Sequence, residues 1–338
     1  MQKNSMLKNT PTIAGIDIGG ANIKYCQSDD YSLSTVFPLW KKKSSLPAIL
    51  RDILSSKKIN ILAVTMTGEL CDCFESKIEG VKYILNSIPK MQFTPLVWTT
   101  NQNFISLANA LKNPTICASS NWMGLASFIA KQQPKSFGLS IDIGSTTTDI
   151  TAIDKGCPTP YGITDTERLN SGSLVYTGMK RTPLASLLGN KFAHEYFATI
   201  ADAHLLENNL PEDPNNTDTA DGRSFKKTNS ARRIAKMLCA DQTEIPMSKI
   251  LSTSQLAIKT QIKWITNALK KHLQRKGKEP KWISVSGSGE SLAKMVIKSF
   301  IWKTKPTIYS FSKTFGKENS DAACAYSIMK LAGIYHEM

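Results

Sequence analysis

Along Gly138–Ile153, GLSIDIGSTTTDITAI, apolar residues recur at Leu139, Ile141 and Ile143, stop at Gly144-Ser145, and resume through Ile150 and Ile153. Alternation, a glycine turn and renewed alternation predict a β-hairpin. Gly15–Tyr25, GIDIGGANIKY, repeats that layout, and Asp17-Ile18-Gly19 matches Asp142-Ile143-Gly144 residue for residue. A third apolar run, Trp282–Ser286 (WISVS), predicts a buried strand leading through Gly287-Ser288-Gly289 into a helix from Glu290.

The remaining pattern fills in an α/β chain. Ser44–Lys57 has Leu46, Ile49, Leu50, Ile53 and Leu54 on one helical face, with Ser44 or Ser45 and Pro47 at its start. Ile59–Thr65 predicts a buried strand ending in the polar turn Thr67-Gly68-Glu69, and Glu69 is a site candidate because open α/β sheets place ligands at strand ends. The bland alternative for Glu69 is a plain surface carboxylate. Helices are predicted at Glu79–Ile88, Ser120–Gln132, Ser224–Ala240, Ser252–Arg275 and Ser320–Leu331, the last capped by Gly333, with a strand at Pro95–Thr99. Gly162–Leu184 and Ala201–Arg223 follow neither period and are read as long ordered loops, of the kind that often carries function. The first holds Asp165, Glu167, Arg168 and Arg181; its arginines either fork onto phosphate or carboxylate oxygens or pair with local acids.

The hairpin tips carry the candidate chemistry. Glycine lets backbone approach an anion, hydroxyl and N–H groups donate to it, and a carboxylate holds Mg²⁺ directly or through water. One such tip is equally an ordinary polar hairpin end. Two copies, one opening each half of the chain, predict two acidic residues and two glycine turns facing across a cleft.

Composition narrows the partners. The 338 residues suit two domains, read as a flexible tail over 1–10, a first domain over 11–135, and a second over 136–338 with an ordered insertion at about 160–250. The net charge of +15 is spread over scattered lysines and arginines without a nucleic-acid module, so a solvated basic surface is expected rather than nucleic-acid binding. No apolar run is long enough for a membrane span, and the first ten residues lack a secretory signal. Seven cysteines without zinc or disulfide spacing fit a reduced cytoplasm, and Cys71-Asp72-Cys73 is expected to be a packed, inert pair. A homodimer is the base-rate expectation.

The paired hairpin motifs resemble the two phosphate motifs of the actin/hexokinase/Hsp70-like ATPase superfamily, and WISVSGSGE resembles its adenosine motif. VTMTGELCDCF (64–74), SSNWMGLASFIA (119–130), TDTERLNSGSLVYTGMKRTPL (164–184) and TADGRSFKKTNSARRIAKML (219–238) are similar to the hydantoinase/oxoprolinase-like branch. Within it they resemble proteins of tetrahydromethanopterin-linked C1 transfer pathways, whose archaeal relatives are methanofuran synthases. Ser173 departs from the pattern, standing where an acidic side chain is expected.

The resemblance implies duplicated ribonuclease H-like domains with an interdomain cleft. It also implies an aryl-ether-forming transferase of methanofuran or methylofuran biosynthesis. An aminomethyl-furan methyl diphosphate would be coupled to a phenol, γ-glutamyltyramine or tyrosine-derived, with diphosphate leaving. On that reading Asp17 and Asp142 hold Mg²⁺. Gly19, Gly20, Asn22, Lys24, Gly144, Ser145, Thr146 and Thr147 bind phosphate oxygens, although Lys24 could equally face solvent. Gly287, Gly289 and Glu290 form the third motif. Asp149, Glu69 and Glu167 are candidate bases, and Arg168 and Arg181 candidate anion ligands. The alternatives are an ATP-using kinase, with ATP or another nucleotide as cofactor, a hydantoinase/oxoprolinase-type hydrolase, and a non-catalytic nucleotide switch.

Overall fold

The computed structural model describes residues 11–27, 31–55 and 57–337; the tail read over 1–10 lies outside them. The described residues divide into two units: those of Met1–Pro134, Gly156–Pro158 and Phe315–Met338, and those of Lys135–Lys155 and Thr159–Thr314.

The first unit is built on β1 (Ile13–Ile18), β2 (Asn22–Gln27), β3 (Ser32–Val36), β4 (Ile61–Met66), β5 (Thr94–Trp98) and β6 (Phe104–Ser106), in sheet order β3-β2-β1-β4-β5-β6. β1, β2 and β3 run antiparallel in sequence, and β4 and β5 follow β1 in parallel. All six residues of β1 and of β4 are buried, as central strands covered on both faces must be. One face is closed by the helix Leu46–Ser55, whose Leu46, Leu50, Ile53 and Leu54 enter the core with Val81, Ile84 and Leu85 of the helix Lys77–Asn86. The helices Asn121–Gln132 and Ala323–Glu337 pack together, and the second lies on β1. That approach is close enough that a Cβ on Gly15 would sit 2.1 Å from the Ala325 carbonyl oxygen.

The second unit has β7 (Gly138–Ile143), β8 (Thr148–Asp154), β10 (Leu174–Val175), β11 (Trp282–Ser286) and β12 (Thr307–Ser310), while the two-residue β9 (Cys157–Pro158) falls in the first. Its order is β10-β8-β7-β11-β12, with β10, β8 and β7 antiparallel in turn and β7, β11 and β12 parallel. Both sheets therefore use one plan: a motif hairpin and a third strand in antiparallel, then two parallel strands beside the first. This is an α/β chain of duplicated ribonuclease H-like domains of the actin/hexokinase type. Ile283, Val285 and the apolar face of the helix Glu290–Ser299 form one core, and the helices Ile200–Leu206, Lys227–Lys236 and Met247–Lys276 form another beside it.

Four expectations are corrected. The span read as a loop over 162–184 contains the helix Asp165–Ser171, started by a Thr164/Glu167 capping box and ended by Gly172 at φ +80°, and then β10. The span from Ala201 begins as the helix Ile200–Leu206, in which every residue is buried. The last helix runs through Gly333 to Glu337 instead of ending there, since tertiary packing outweighs the modest propensity cost of one glycine. It also groups with the first unit, whereas the sequence pattern assigns all of 136–338 to one domain; an apolar helix face does not say which sheet it covers.

The excursion after Ile200–Leu206 is anchored by a buried ionic cluster. Arg233, wholly buried, donates from Nη2 to Asp202 Oδ1 at 2.6 Å and from Nη1 to Asp221 Oδ1 at 2.8 Å, and Ser230 Oγ donates to Asp202 at 2.7 Å. Arg233→Met strands Asp202 as an uncompensated buried charge and is expected to cost about 3–5 kcal/mol of unfolding free energy in a urea titration.

Candidate active site

In the second unit the motif hairpin places Asp142 at the carboxyl end of β7, directly opposite Asp149 on β8 and beside Ser286 on β11. Ser286 Oγ donates to Asp142 Oδ1 at 2.6 Å and so fixes the carboxylate's orientation. The turn after β11 is pressed onto the same point. A Cβ on Gly287, which stands at φ +87°, would lie 2.3 Å from the Ile143 carbonyl oxygen and 2.9 Å from Asp142 Oδ1. Gly289 donates its N–H to the Ile143 carbonyl at 2.8 Å. Glycine is required at Gly287 by backbone contact at a strained φ.

The tip itself is closed by Gly144 N–H donating to the Thr147 carbonyl at 3.0 Å. The first unit's tip has the same bond, Gly19 N–H to the Asn22 carbonyl at 3.0 Å, so the two motifs share backbone geometry as well as sequence. In the second unit the segment after β10 lies across the tip: Met179 N–H donates to the Gly144 carbonyl, and those of Lys180 and Arg181 donate to the Ser145 carbonyl. The tip's carbonyls are thereby occupied, while the N–H groups of Ser145 and Thr146 donate to no protein acceptor among the described residues. Donors turned out and acceptors turned in suit an anion.

Asp149 is bound by Arg168, which also donates to Asp165 at 3.1 Å. Burial pushes the Asp149 carboxyl up to about 6; the Arg168 guanidinium opposes this, and the charges of Asp142 and Asp165 add to it. Three carboxylates thus surround one guanidinium, an excess of negative charge that suits a cation. Mg²⁺ is held by one or two carboxylates together with phosphate oxygens and water, and Asp142 with its neighbours supplies that donor set. Among the described residues no group of three or more His, Cys, Asp or Glu side chains is placed to form an all-protein metal cage.

Several candidates are committed elsewhere. Arg168 is 2% exposed and engaged by Asp149 and Asp165, so its fork is an internal clamp. Glu167 accepts from the N–H groups of Ile163 and Thr164, which hold its carboxyl below the usual range. Glu290 accepts from Lys294, Ser310 and Ser312; burial raises its pKa, but these donors outweigh that and hold it low. Arg181 is exposed, and its backbone is pinned to the tip.

In the first unit Asp17, 4% exposed, stands opposite Lys24 on β2 and accepts from Asn121 Nδ2 at 3.3 Å. Gly68 is tight against Gly19, and a Cβ on Gly20 would lie 2.8 Å from Cys71 Sγ. Glu69 is 1% exposed, accepts from Ser119 Oγ at 2.6 Å, and lies 4.0 Å from Lys77 Nζ. Ser119 is held at φ +46°, an unusual value for serine. Asp17 and Glu69 are thus both fixed by the Ser119–Asn121 turn. Cys71 and Cys73 are free thiols.

Sequence reasoning does not single out Ser286, Ser119 or Asn121 as site residues. Ser286 carries a usable signal, being the last residue of a buried strand before a glycine turn. Ser286→Ala leaves Asp142 free to rotate and is expected to lower turnover about tenfold, with little change in the unfolding midpoint; steady-state kinetics beside thermal unfolding checks it.

The Hydantoinase/oxoprolinase family model matches residues 60–314. The chain is 32% identical over 332 residues, 94% of its length and 97% of the relative's, to the (4-{4-[2-(γ-L-glutamylamino)ethyl]phenoxymethyl}furan-2-yl)methanamine synthase of Methanocaldococcus jannaschii. It is 33% identical over 212 residues to a Methanococcus vannielii protein of the same name, covering 60% of this chain and 93% of that one. Among solved structures, a ROK family glucokinase from Streptomyces griseus aligns with TM-score 0.46 and 12% identity over 95% of this chain and 98% of its own. No described helix is long and apolar enough to cross a membrane.

Proposed function

This chain belongs to the hydantoinase/oxoprolinase family, and within it we propose an aryl-ether-forming synthase of methanofuran-type cofactor biosynthesis. The observation that carries the reading is the near full-length match to a synthase whose product joins a furan methylene to a phenol oxygen. The proposed electrophile is an aminomethyl-furan methyl diphosphate and the nucleophile a phenol, γ-glutamyltyramine or a tyrosine derivative. The furfuryl C–O bond breaks, diphosphate departs with the electron pair, and the phenol oxygen bonds to the carbon as its proton passes to a base.

The furan stabilises positive charge on its methylene, so the barrier lies in charge gathering on the leaving diphosphate. The N–H groups of Ser145 and Thr146 and the hydroxyls of Ser145, Thr146 and Thr147 donate to that charge, and the exposed Arg181 offers a bidentate fork. Asp142, oriented by Ser286, holds Mg²⁺, which when bound neutralises phosphate charge. In the first unit Asp17, Gly19, Gly20, Asn22 and Lys24 form the equivalent anion-binding tip. Asp149 accepts the phenol proton, and Arg168 holds it in place. Glu69, fixed by Ser119, stays bound within the first unit and takes no part in the proton transfer.

The test is a coupling assay with Mg²⁺, the furfurylamine diphosphate and either γ-glutamyltyramine or tyrosine, with and without ATP. Ether and diphosphate formed without ATP support the reading, and the faster phenol identifies the acceptor. Phosphate release from ATP with no ether overturns it in favour of a kinase or ATPase.

A further inference from the structure

The first unit contains a cavity of about 290 Å³ that none of the motif residues lines. Its walls are apolar: Phe104 packs edge-on to Trp98 at 4.9 Å and tilted to Tyr335 at 5.9 Å, and Leu331 and Ile334 of the last helix face them. Lys131 lies among the lining residues, which include no Asp or Glu. Two lining residues hold buried donors without hydrogen-bond partners: Trp98, 3% exposed, through Nε1, and Ser127, 7% exposed, through Oγ. A buried donor left unpaired is costly, and such groups in native proteins are usually met by water or a ligand. The turn that borders the cavity holds Gln102 at φ +64°, a conformation uncommon outside glycine.

We propose that this cavity is a second small-molecule site that takes a single-ring aromatic carboxylate. The volume lies at the small end of ligand pockets, roughly 300–1,000 Å³, which favours one ring over a nucleotide or a two-ring ligand. The ring fits the Phe104, Tyr335, Leu331 and Ile334 surface. The carboxylate supplies acceptors to a wall that offers donors and one ammonium group and no competing acid.

Cys157 also lines the cavity and is exposed, whereas Cys239 is an exposed thiol in the other unit. The two report occupancy against a built-in control. The full-length protein is alkylated with iodoacetamide, and modification of each cysteine is followed by mass spectrometry. The probe is 3-phenylpropionate, with 3-phenylpropanol and propionate as controls. Saturable slowing of Cys157 by phenylpropionate, at least about fivefold, with Cys239 unchanged and both controls much weaker, is expected. Lys131→Gln, a surface change that leaves the fold intact, should weaken the protection constant about tenfold. No protection of Cys157, equal protection by acid and alcohol, or an unchanged constant in Lys131→Gln overturns the proposal. None of these readouts depends on the coupling reaction, so this site and the synthase reading fail or stand separately.

Discussion

Asp142→Ala is expected to lower turnover about a thousandfold or more, while far-ultraviolet circular dichroism and the unfolding midpoint stay near those of the parent. The carboxylate is at the strand end, fixed by Ser286 and backed by the Gly287–Gly289 turn, and removing it strips the principal counter-charge for the metal. The fold does not need it: Asp142 is partly exposed, and its strand is held by pairing with β8 and β11. Asp142→Asn should be nearly as inactive, because the amide keeps the shape and the Ser286 bond but loses the charge. Turnover within tenfold of the parent in either variant removes Asp142 from the mechanism.

The second large effect is expected at Asp149. As proton acceptor it must be ionised in the free enzyme, and its carboxyl is pushed up to about 6. kcat/KM, which reports the free enzyme, should therefore fall as pH drops below about 6 and level off above it. Asp149→Asn should abolish that acidic limb and lower kcat/KM by about 10²- to 10⁴-fold. Because Asn also weakens the Arg168 clamp, a thermal melt accompanies the kinetics. A pH profile in Asp149→Asn that keeps the parent's acidic limb assigns the titration to another group and ends the role of Asp149 as proton acceptor.

Much of the architecture was legible because it is written twice. Two Asp-Ile-Gly hairpins predict two strand pairs, and the structure has both, with one hydrogen bond, glycine N–H to the carbonyl three residues on, repeated in each tip. The third motif was equally plain: Trp282–Ser286 is a strand and Glu290 starts a helix, at the positions the pattern sets. Short helices were harder. Asp165–Ser171 is two turns long, too short for apolar periodicity to show, although Thr164 and Glu167 spell a capping box. The destination of the last helix was hidden, because its apolar face fits either sheet and the choice rests on close contact with Gly15.

Site roles were legible only to the level of residue type. The sequence offers Arg168 as an anion ligand or an internal partner with equal force; burial between Asp149 and Asp165 decides for the partner. Glu290 follows the glycine turn as a nucleotide ligand would, but its carboxylate is taken by Ser310, Ser312 and Lys294. Ser286 and Ser119 orient Asp142 and Glu69 from 144 and 50 residues away, and no local pattern announces such pairs.

The central claim is that diphosphate leaves as a unit with its bridging oxygen, and isotope placement tests it most directly. The furfurylamine diphosphate is labelled with ¹⁸O at the oxygen between carbon and phosphorus, and both products are weighed by mass spectrometry after a single turnover without ATP. The account predicts that the label departs in the diphosphate and that the ether carries the unlabelled phenol oxygen. Label retained on the furan carbon would mean that the P–O bond breaks instead, and would contradict it.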